Sequence, residues 1–487
     1  MQLVSFIRGA RRTVLCTSLA ALIAAGCLVG TPRAEAETLR QALAAAYRYN
    51  PQIDAERARL RATDEEVARA NSGYRPIITG TADIGARHTR VRPNIAGDSG
   101  TLHPRGYAVT LSQPIFTGFQ TTNAVRSAEA GVRAGRESLR NVEQSVLLQA
   151  VTAYMDVVRD QAVVKLRENN VNVLSRELKA SQDRFAVGEV TRTDVAQAEA
   201  RRAGAVSDLE LARANLKTSR ATYERVIGHP PSNLKEPTVQ ERIMPKSLNE
   251  AISIGNRENP AIVAALYTEQ QARYTVDQIR GELLPQVDLE ASYQDRYGTS
   301  DAIDSVATTE VTGRVTVPIY EGGEVYARVR QAKHTHVSRL QEIEQSRTEV
   351  QEGVVSAWSN LNAARAQLKS DQSQVQANTT ALQGVREEEK VGQRTLLDVL
   401  NAEQELLNSQ VNLVTTRRNL VVSAYTLLTA IGRMDADQID VASQVYDPEV
   451  HYDEVRRKWW GVNITHGDGR TEKVDAWHAR VEREPIK

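Results

Sequence analysis

Cysteine is nearly absent. The 487-residue chain holds two, Cys16 and Cys27, and both lie in an N-terminal stretch with the marks of a secretory signal. Arg8, Arg11 and Arg12 supply a positive region, Thr13 to Gly30 an apolar run, and Ala34-Glu35-Ala36 a small-x-small cleavage site. Residues 1–36 are therefore expected to be removed, leaving Glu37 as the first mature residue. Lipoprotein processing at Cys27 is the rival reading, but Ala-Ala-Gly-Cys lacks the usual leucine three residues before the cysteine. A mature chain without thiols excludes disulfides, thiolate catalysis and cysteine-ligated metals, and it suits an oxidising compartment.

Long apolar runs are missing too. After the signal nothing approaches the roughly 20 residues of a membrane helix, so any membrane crossing has to use strands. There is no basic surplus: 61 basic residues face 61 acidic ones, and removal of the signal leaves 57 against 60, which gives no reason for a nucleic-acid partner. Aromatics make up only 5%, while Ala, Gln, Glu, Arg, Leu and Val dominate. That is a coiled-coil bias rather than the composition of several globular cores. The chain has no Walker loop, no Gly-x-Ser-x-Gly elbow and no His-Glu-x-x-His. His334 and His336 stand two apart on a helical pattern and face different ways. We expect no catalytic residue, no cofactor and no metal site, and do not read the chain as an enzyme.

What is present is a repeated seven-residue ladder. Val399, Leu406, Leu413, Leu420 and Leu427 form one run, and Val354, Leu361, Leu368, Val375 and Leu382 form another before it. A strict heptad requires helices that supercoil on neighbours. Between the runs stands a Val-Gly turn followed by Thr-x-x-Asp. Shifted back by 204 positions, the same features recur as Val187-Gly188, Thr191 to Asp194, and a ladder through Ala150, Val157, Val164, Val171 and Leu178. The chain is thus a duplicated long helical hairpin.

Each hairpin is preceded by an Asn-Pro break (Asn50-Pro51, Asn259-Pro260) and then by a change of period to two. Ile78, Gly80, Ala82 and Ile84 alternate with Thr79, Thr81 and Asp83, and Tyr107, Val109 and Leu111 with Ala108, Thr110 and Ser112. The second copy sets Val287, Leu289, Ala291 and Tyr293 against Asp288, Glu290 and Ser292, and Val311, Gly313, Val315 and Val317 against Thr312, Arg314 and Thr316. Both copies leave the strands through Pro-Ile-aromatic: Pro114-Ile115-Phe116 and Pro318-Ile319-Tyr320. Four strands of about ten residues suit a tilted membrane strand but fall below the smallest usual barrel of about eight. Open edges are not tolerated in lipid, so copies of the chain must complete the barrel; two would give eight strands and three twelve.

The expected organisation is a signal over 1–36 and a first repeat over 37–228, with strands near 76–90 and 106–114 and a hairpin near 118–227. A linker over 229–247 leads to a second repeat over 248–434, with strands near 285–297 and 310–318 and a hairpin near 322–431. A poorly ordered tail follows over 435–487.

In their shared order and offset these features make the chain resemble the TolC family of outer-membrane efflux and secretion channels, across roughly Glu37 to Met434. The resemblance implies a mixed α/β membrane protein: a homotrimer with a twelve-stranded β-barrel in outer-membrane lipid, continued by a long α-helical barrel through the periplasm. It also implies a passive exit duct for tripartite efflux or type I secretion, opened by a periplasmic adaptor and an inner-membrane pump. By position in the turns, Asp194, Arg394 and Asp398 fall at periplasmic gate residues, while Asn401 and Glu389 stand where the family has a second ring aspartate and a gate tyrosine. Val187, Gly188, Val391 and Gly392 fall at tips where adaptors dock. Apart from the resemblance, Asp194 and Asp398 also suit capping boxes, and the glycines suit their turns. Phe116, Phe119 and Tyr320 are read as membrane-interface aromatics. The alternative function is a structural or adhesive surface coiled coil, which has no need of the period-two strands.

Overall fold

Each repeat begins where one asparagine closes two helices. A computed structural model describes residues 36–90, 92, 100–237, 243–300, 302–439 and 445–464, so the signal expected over 1–36 lies almost wholly outside the described residues. Helix α1 (Leu39–Tyr49) ends at Asn50, and α2 (Pro51–Asn71) starts there. The Asn50 Oδ1 accepts from the Gln52 amide at 2.9 Å, capping α2, while its Nδ2 donates to the Val226 carbonyl at 2.9 Å, in the last turn of the helix Arg192–Ile227. Asn259 repeats this between the Ala261 amide and the Ala430 carbonyl, both at 2.9 Å. Pro51 and Pro260 take the first helical position, where a missing N–H costs nothing. Asn-Pro is therefore a splice as well as a break.

The long helices are α3 (Gln120–Ala186) and α7 (Glu324–Lys390), each of 67 residues, or about 100 Å. The returning helices α4 (Arg192–Ile227) and α8 (Leu396–Ala430) cover only part of that length. The remainder is covered by α2 in the first repeat and by α6 (Pro260–Gly281) in the second, the latter preceded by short α5 (Leu248–Glu258). Side by side the helices run in the order α2 with α4, then α3, then α6 with α8, then α7. Most of the apolar core is a belt at mid-height, where α1 and α5 pack on Val146 to Val157 of α3, on Val354 to Leu361 of α7 and on the end of α8. There Tyr154 is fully buried and donates to the carbonyls of Glu37 and Lys235 at 2.8 and 2.6 Å.

The strands keep the helix order. A four-stranded antiparallel sheet runs β1 (Ile77–Ile84), β4 (Arg105–Phe116), β5 (Gln286–Ser300), β6 (Ile303–Thr316). A small ribbon of β2 (Arg87–Thr89) and β3 (Gly100–Leu102) extends the first hairpin. Strand β6 starts earlier than the alternation suggested, because Ile303 to Thr308 pair with β5 although half of them are polar.

The tail departs from expectation. In place of a poorly ordered segment, residues 445–464 form helix α9 (Glu449–Val455) and flanking extensions laid along α2. The Tyr446 amide donates to the Tyr47 hydroxyl at 3.2 Å, and His451 Nδ1 meets the fully buried Asp64 at 3.0 Å. These contacts span most of the chain length, so local periodicity carries no trace of them.

Candidate functional site

The register of the sheet separates two faces. Ile78 pairs with Leu111, Gly80 with Val109 and Ala82 with Tyr107, and Val109 then pairs with Tyr293 and Leu111 with Ala291, which pairs with Val311. This face is apolar and uncovered: Ile78 is 67% exposed and Val311 69%. Lipid is the solvent it fits. The opposite face carries Asp83, Asp288, Glu290, Arg296, Glu310 and Arg314. Two ion pairs cross it: Arg314 to Glu290 at 3.1 Å, between neighbouring strands, and Arg296 to Asp83 at 3.4 Å. The second pair passes over Gly106, the residue registered between them; a side chain there would meet the Arg296 stem at 3.1 Å. A charged face opposite a lipid-fitting one is the wall of an aqueous conduit. Both sheet edges, β1 and β6, are unpaired among the described residues of the chain.

At the far end of the helices lie the two tips. Gly188 and Gly392 have φ of +83° and +78°, a backbone region that costs a residue with Cβ roughly 1–2 kcal/mol. Val187 and Val391 beside them are 71% and 70% exposed. Asp194 is held by its own cap: its carboxylate accepts from the Thr191 amide and hydroxyl at 2.8 and 2.7 Å, and its amide donates back to Thr191 Oγ1 at 3.3 Å. Asp398 repeats this with Thr395 at 3.0, 2.8 and 3.3 Å. These bonds hold both carboxyls below the usual aspartate range. Arg394 donates to Glu388 at 2.9 Å, across its own turn. Within one chain Arg394 and Asp398 are thus close enough for their charges to interact, while among the described contacts none joins either of them to Asp194.

Two other pairs join the hairpins. Arg184, in the last turn of α3, meets Glu389, in the last turn of α7, at 2.6 Å. Arg201 of α4 donates to Asn401 of α8 at 2.8 Å. Glu389 and Asn401, singled out from the sequence as departures from the pattern the resemblance implies, each have an arginine partner on the other hairpin. Behind them Arg386 is paired with the largely buried Glu403 at 2.5 Å. Arg184 and Arg201 were not singled out from the sequence. The available signal was the duplication, since Glu389 lies 205 residues after Arg184 and Asn401 lies 200 after Arg201, close to the repeat offset.

The aromatics at the strand–helix junction divide. Phe116 and Phe119 pack edge to face, with centroids 5.2 Å apart, whereas Tyr320 is 77% exposed. Phe119 also holds φ of +64°, in a position that Gly323 occupies in the second copy at +86°.

Comparison with known proteins fits this geometry. The family model for outer membrane efflux proteins matches residues 33–229 and 252–433. The chain belongs to the outer membrane efflux protein family. This efflux protein is 41% identical over 450 residues to the outer membrane efflux protein BepC of Brucella suis, covering 92% of this chain and 97% of that one. It is 23% identical to the outer membrane protein TolC of Escherichia coli over 83% and 84% of the two chains. Among solved structures, the CmeC outer membrane channel of Campylobacter jejuni superposes with a TM-score of 0.74 at 18% identity, covering 86% of this chain and 89% of that one. The fold class is accordingly that of a trimeric twelve-stranded barrel continued by an α-helical barrel, placed in the outer membrane and reaching into the periplasm. Members of the family are channel proteins, and this chain is an outer-membrane exit duct for efflux or secretion.

Proposed function

We propose that three copies of this efflux protein close edge to edge, β1 on β6 and α2 with α4 on α7, into one trans-periplasmic conduit whose tips form its gate. The observation that carries the reading is the shared order of strands and helices, with both edges of each layer left open on the same sides. In the closed gate Arg184–Glu389 and Arg201–Asn401 tie the two hairpins of a protomer together. Asp194, Arg394 and Asp398 then face the axis and the neighbouring protomer, where a ring of carboxylates selects cations. The exposed Val-Gly tips at Val187, Gly188, Val391 and Gly392 receive a periplasmic adaptor, which links the duct to an inner-membrane pump. Phe116, Phe119 and Tyr320 mark the inner interface of the bilayer, and the repeats 37–228 and 248–434 act as the two halves of each stave.

The test is single-channel conductance of the mature protein in a planar bilayer. The parent should show a small, cation-preferring conductance, and Arg184→Ser combined with Arg201→Ser should raise it several-fold. Folded trimer that conducts nothing in any variant would remove the conduit. An unchanged conductance in the double variant, with Arg394→Ser raising it, would move the closing contacts to the axis.

A further inference from the structure

The docked tail ends in a place that the channel itself does not explain. From Tyr446 beside Tyr47, the segment passes His451 at Asp64 and Arg456, whose carbonyl accepts from Asn71 at 3.3 Å. It finishes at Arg75, whose guanidinium donates to the Lys458 carbonyl at 2.6 Å and lies 4.8 Å from the centre of the Trp459 ring. The tail thus climbs the length of α2, about 30 Å, and reaches Arg75, two residues short of Ile77, where the first barrel strand begins. The residue before Arg75 is in turn reached from the lipid-facing set of the sheet. Gln113 shares the register of Val109 and Leu111, and its amide donates at 3.0 Å to the carbonyl of Tyr74, the neighbour of Arg75.

At that height the sequence reads Arg456-Arg457-Lys458-Trp459-Trp460. Trp459 is 64% and Trp460 87% exposed, and Val462 and Ile464 beyond them are exposed as well. Arg456 is partly engaged, with Asp453 at 3.7 Å and the Tyr452 ring at 5.4 Å; Lys458 donates to the Asn463 carbonyl at 2.9 Å; Arg457 is exposed. Two bare indoles are costly in water and are at home among lipid headgroups, where the ring is half buried and the N–H still finds an acceptor. Three adjacent cations beside them favour an anionic surface.

We propose that Arg456 to Trp460 form a peripheral anchor on the inner leaflet of the outer membrane, with Trp459 and Trp460 lodged at headgroup depth and the cations against anionic phospholipid. The strap along α2 sets its height. The proposal rests on the sheet being the membrane barrel, and the experiment separates the two. The full-length trimer, carrying Trp358→Phe and Trp477→Phe so that only Trp459 and Trp460 emit, is reconstituted into vesicles of phosphatidylethanolamine and phosphatidylglycerol. The acyl chains are either plain or brominated near the headgroup. Bromination should lower the emission about twofold, and replacing phosphatidylglycerol by phosphatidylcholine, or introducing Arg457→Ser with Lys458→Ser, should weaken the quenching. A control trimer with all four tryptophans replaced by phenylalanine and Val109→Trp added reports on the apolar barrel face. If Val109→Trp is quenched while Trp459 and Trp460 are untouched by bromolipid and open to aqueous iodide, the anchor is wrong and the barrel stands. If neither is quenched, the barrel reading fails first.

Discussion

The two 67-residue helices are built to one plan, yet α3 buries eighteen residues within the chain and α7 only nine. Length and heptad ladder are alike, so the difference is one of place. Helix α3 is flanked by α2, α4, α6 and α8, while α7 is the last stave and has neighbours on one side only. Its uncovered side shows Tyr326, Val337 and Leu340, each more than 40% exposed. What a duplicated chain leaves unburied in its second copy is what the next protomer has to cover.

The largest effect should come from breaking that uncovered side. Val337→Glu with Leu340→Glu should abolish the trimer in size-exclusion chromatography with light scattering, since each apolar side chain contributes about 1.5–3 kcal/mol when buried and a charge there opposes closure. An unaltered trimer would mean that α7 is not the closing edge. Next in size is a matched pair inside the belt. Tyr154 and Trp358 are equivalent by the 204-residue offset, but Tyr154 is fully buried and Trp358 only partly. Tyr154→Ala should cost about 3–5 kcal/mol, read as a lower midpoint in chemical unfolding, and Trp358→Ala distinctly less. Equal losses would remove the asymmetry.

A third prediction concerns pH. Burial pushes the Glu143 carboxyl up to about 7, despite Arg57 at 3.7 Å and a bond from Tyr47. A carboxyl whose folded pKa lies above its unfolded value makes the protein most stable below the unfolded value, and that contribution is lost as pH rises toward 7. Glu143→Gln should therefore gain in melting temperature relative to the parent between pH 5 and 8. A constant difference would show that Glu143 titrates normally. The smallest effect is expected at Phe119, where Phe119→Gly installs the second copy's residue. Relief of about 1–2 kcal/mol of left-handed strain offsets the loss of the Phe116 contact, which is worth about 0.5–1.5 kcal/mol, so the melting temperature should move little.

Much of this was legible in the sequence because it is periodic or local. The strand faces follow from alternation, and the register of Ile78 with Leu111 and Ala291 with Val311 keeps those apolar sets together. The caps at Thr191 and Thr395 and the turns at Gly188 and Gly392 need only a few residues to declare themselves. What could not be read is whatever joins distant segments through single polar contacts. Arg184–Glu389, Arg201–Asn401 and His451–Asp64 each pair side chains about 200 residues apart or more, and nothing in a heptad or an alternation fixes which charged residue on a solvated face finds a partner. Residues 445–464 escape such reading for the same reason: they have no repeat partner and no periodicity, and their order comes from α2, while 440–444 and 465–487 lie outside the described residues.

The asparagine splice has a mechanical consequence. In two of the four staves the helix is interrupted at the mid-height belt: α4 meets α2, and α8 meets α6, across a joint bridged by side chains, an asparagine amide in each and the Arg433–Glu258 pair in the second. Axial load applied at the tips therefore runs along an unbroken helix only in α3 and α7, while the spliced staves pass it across a joint held by side-chain contacts.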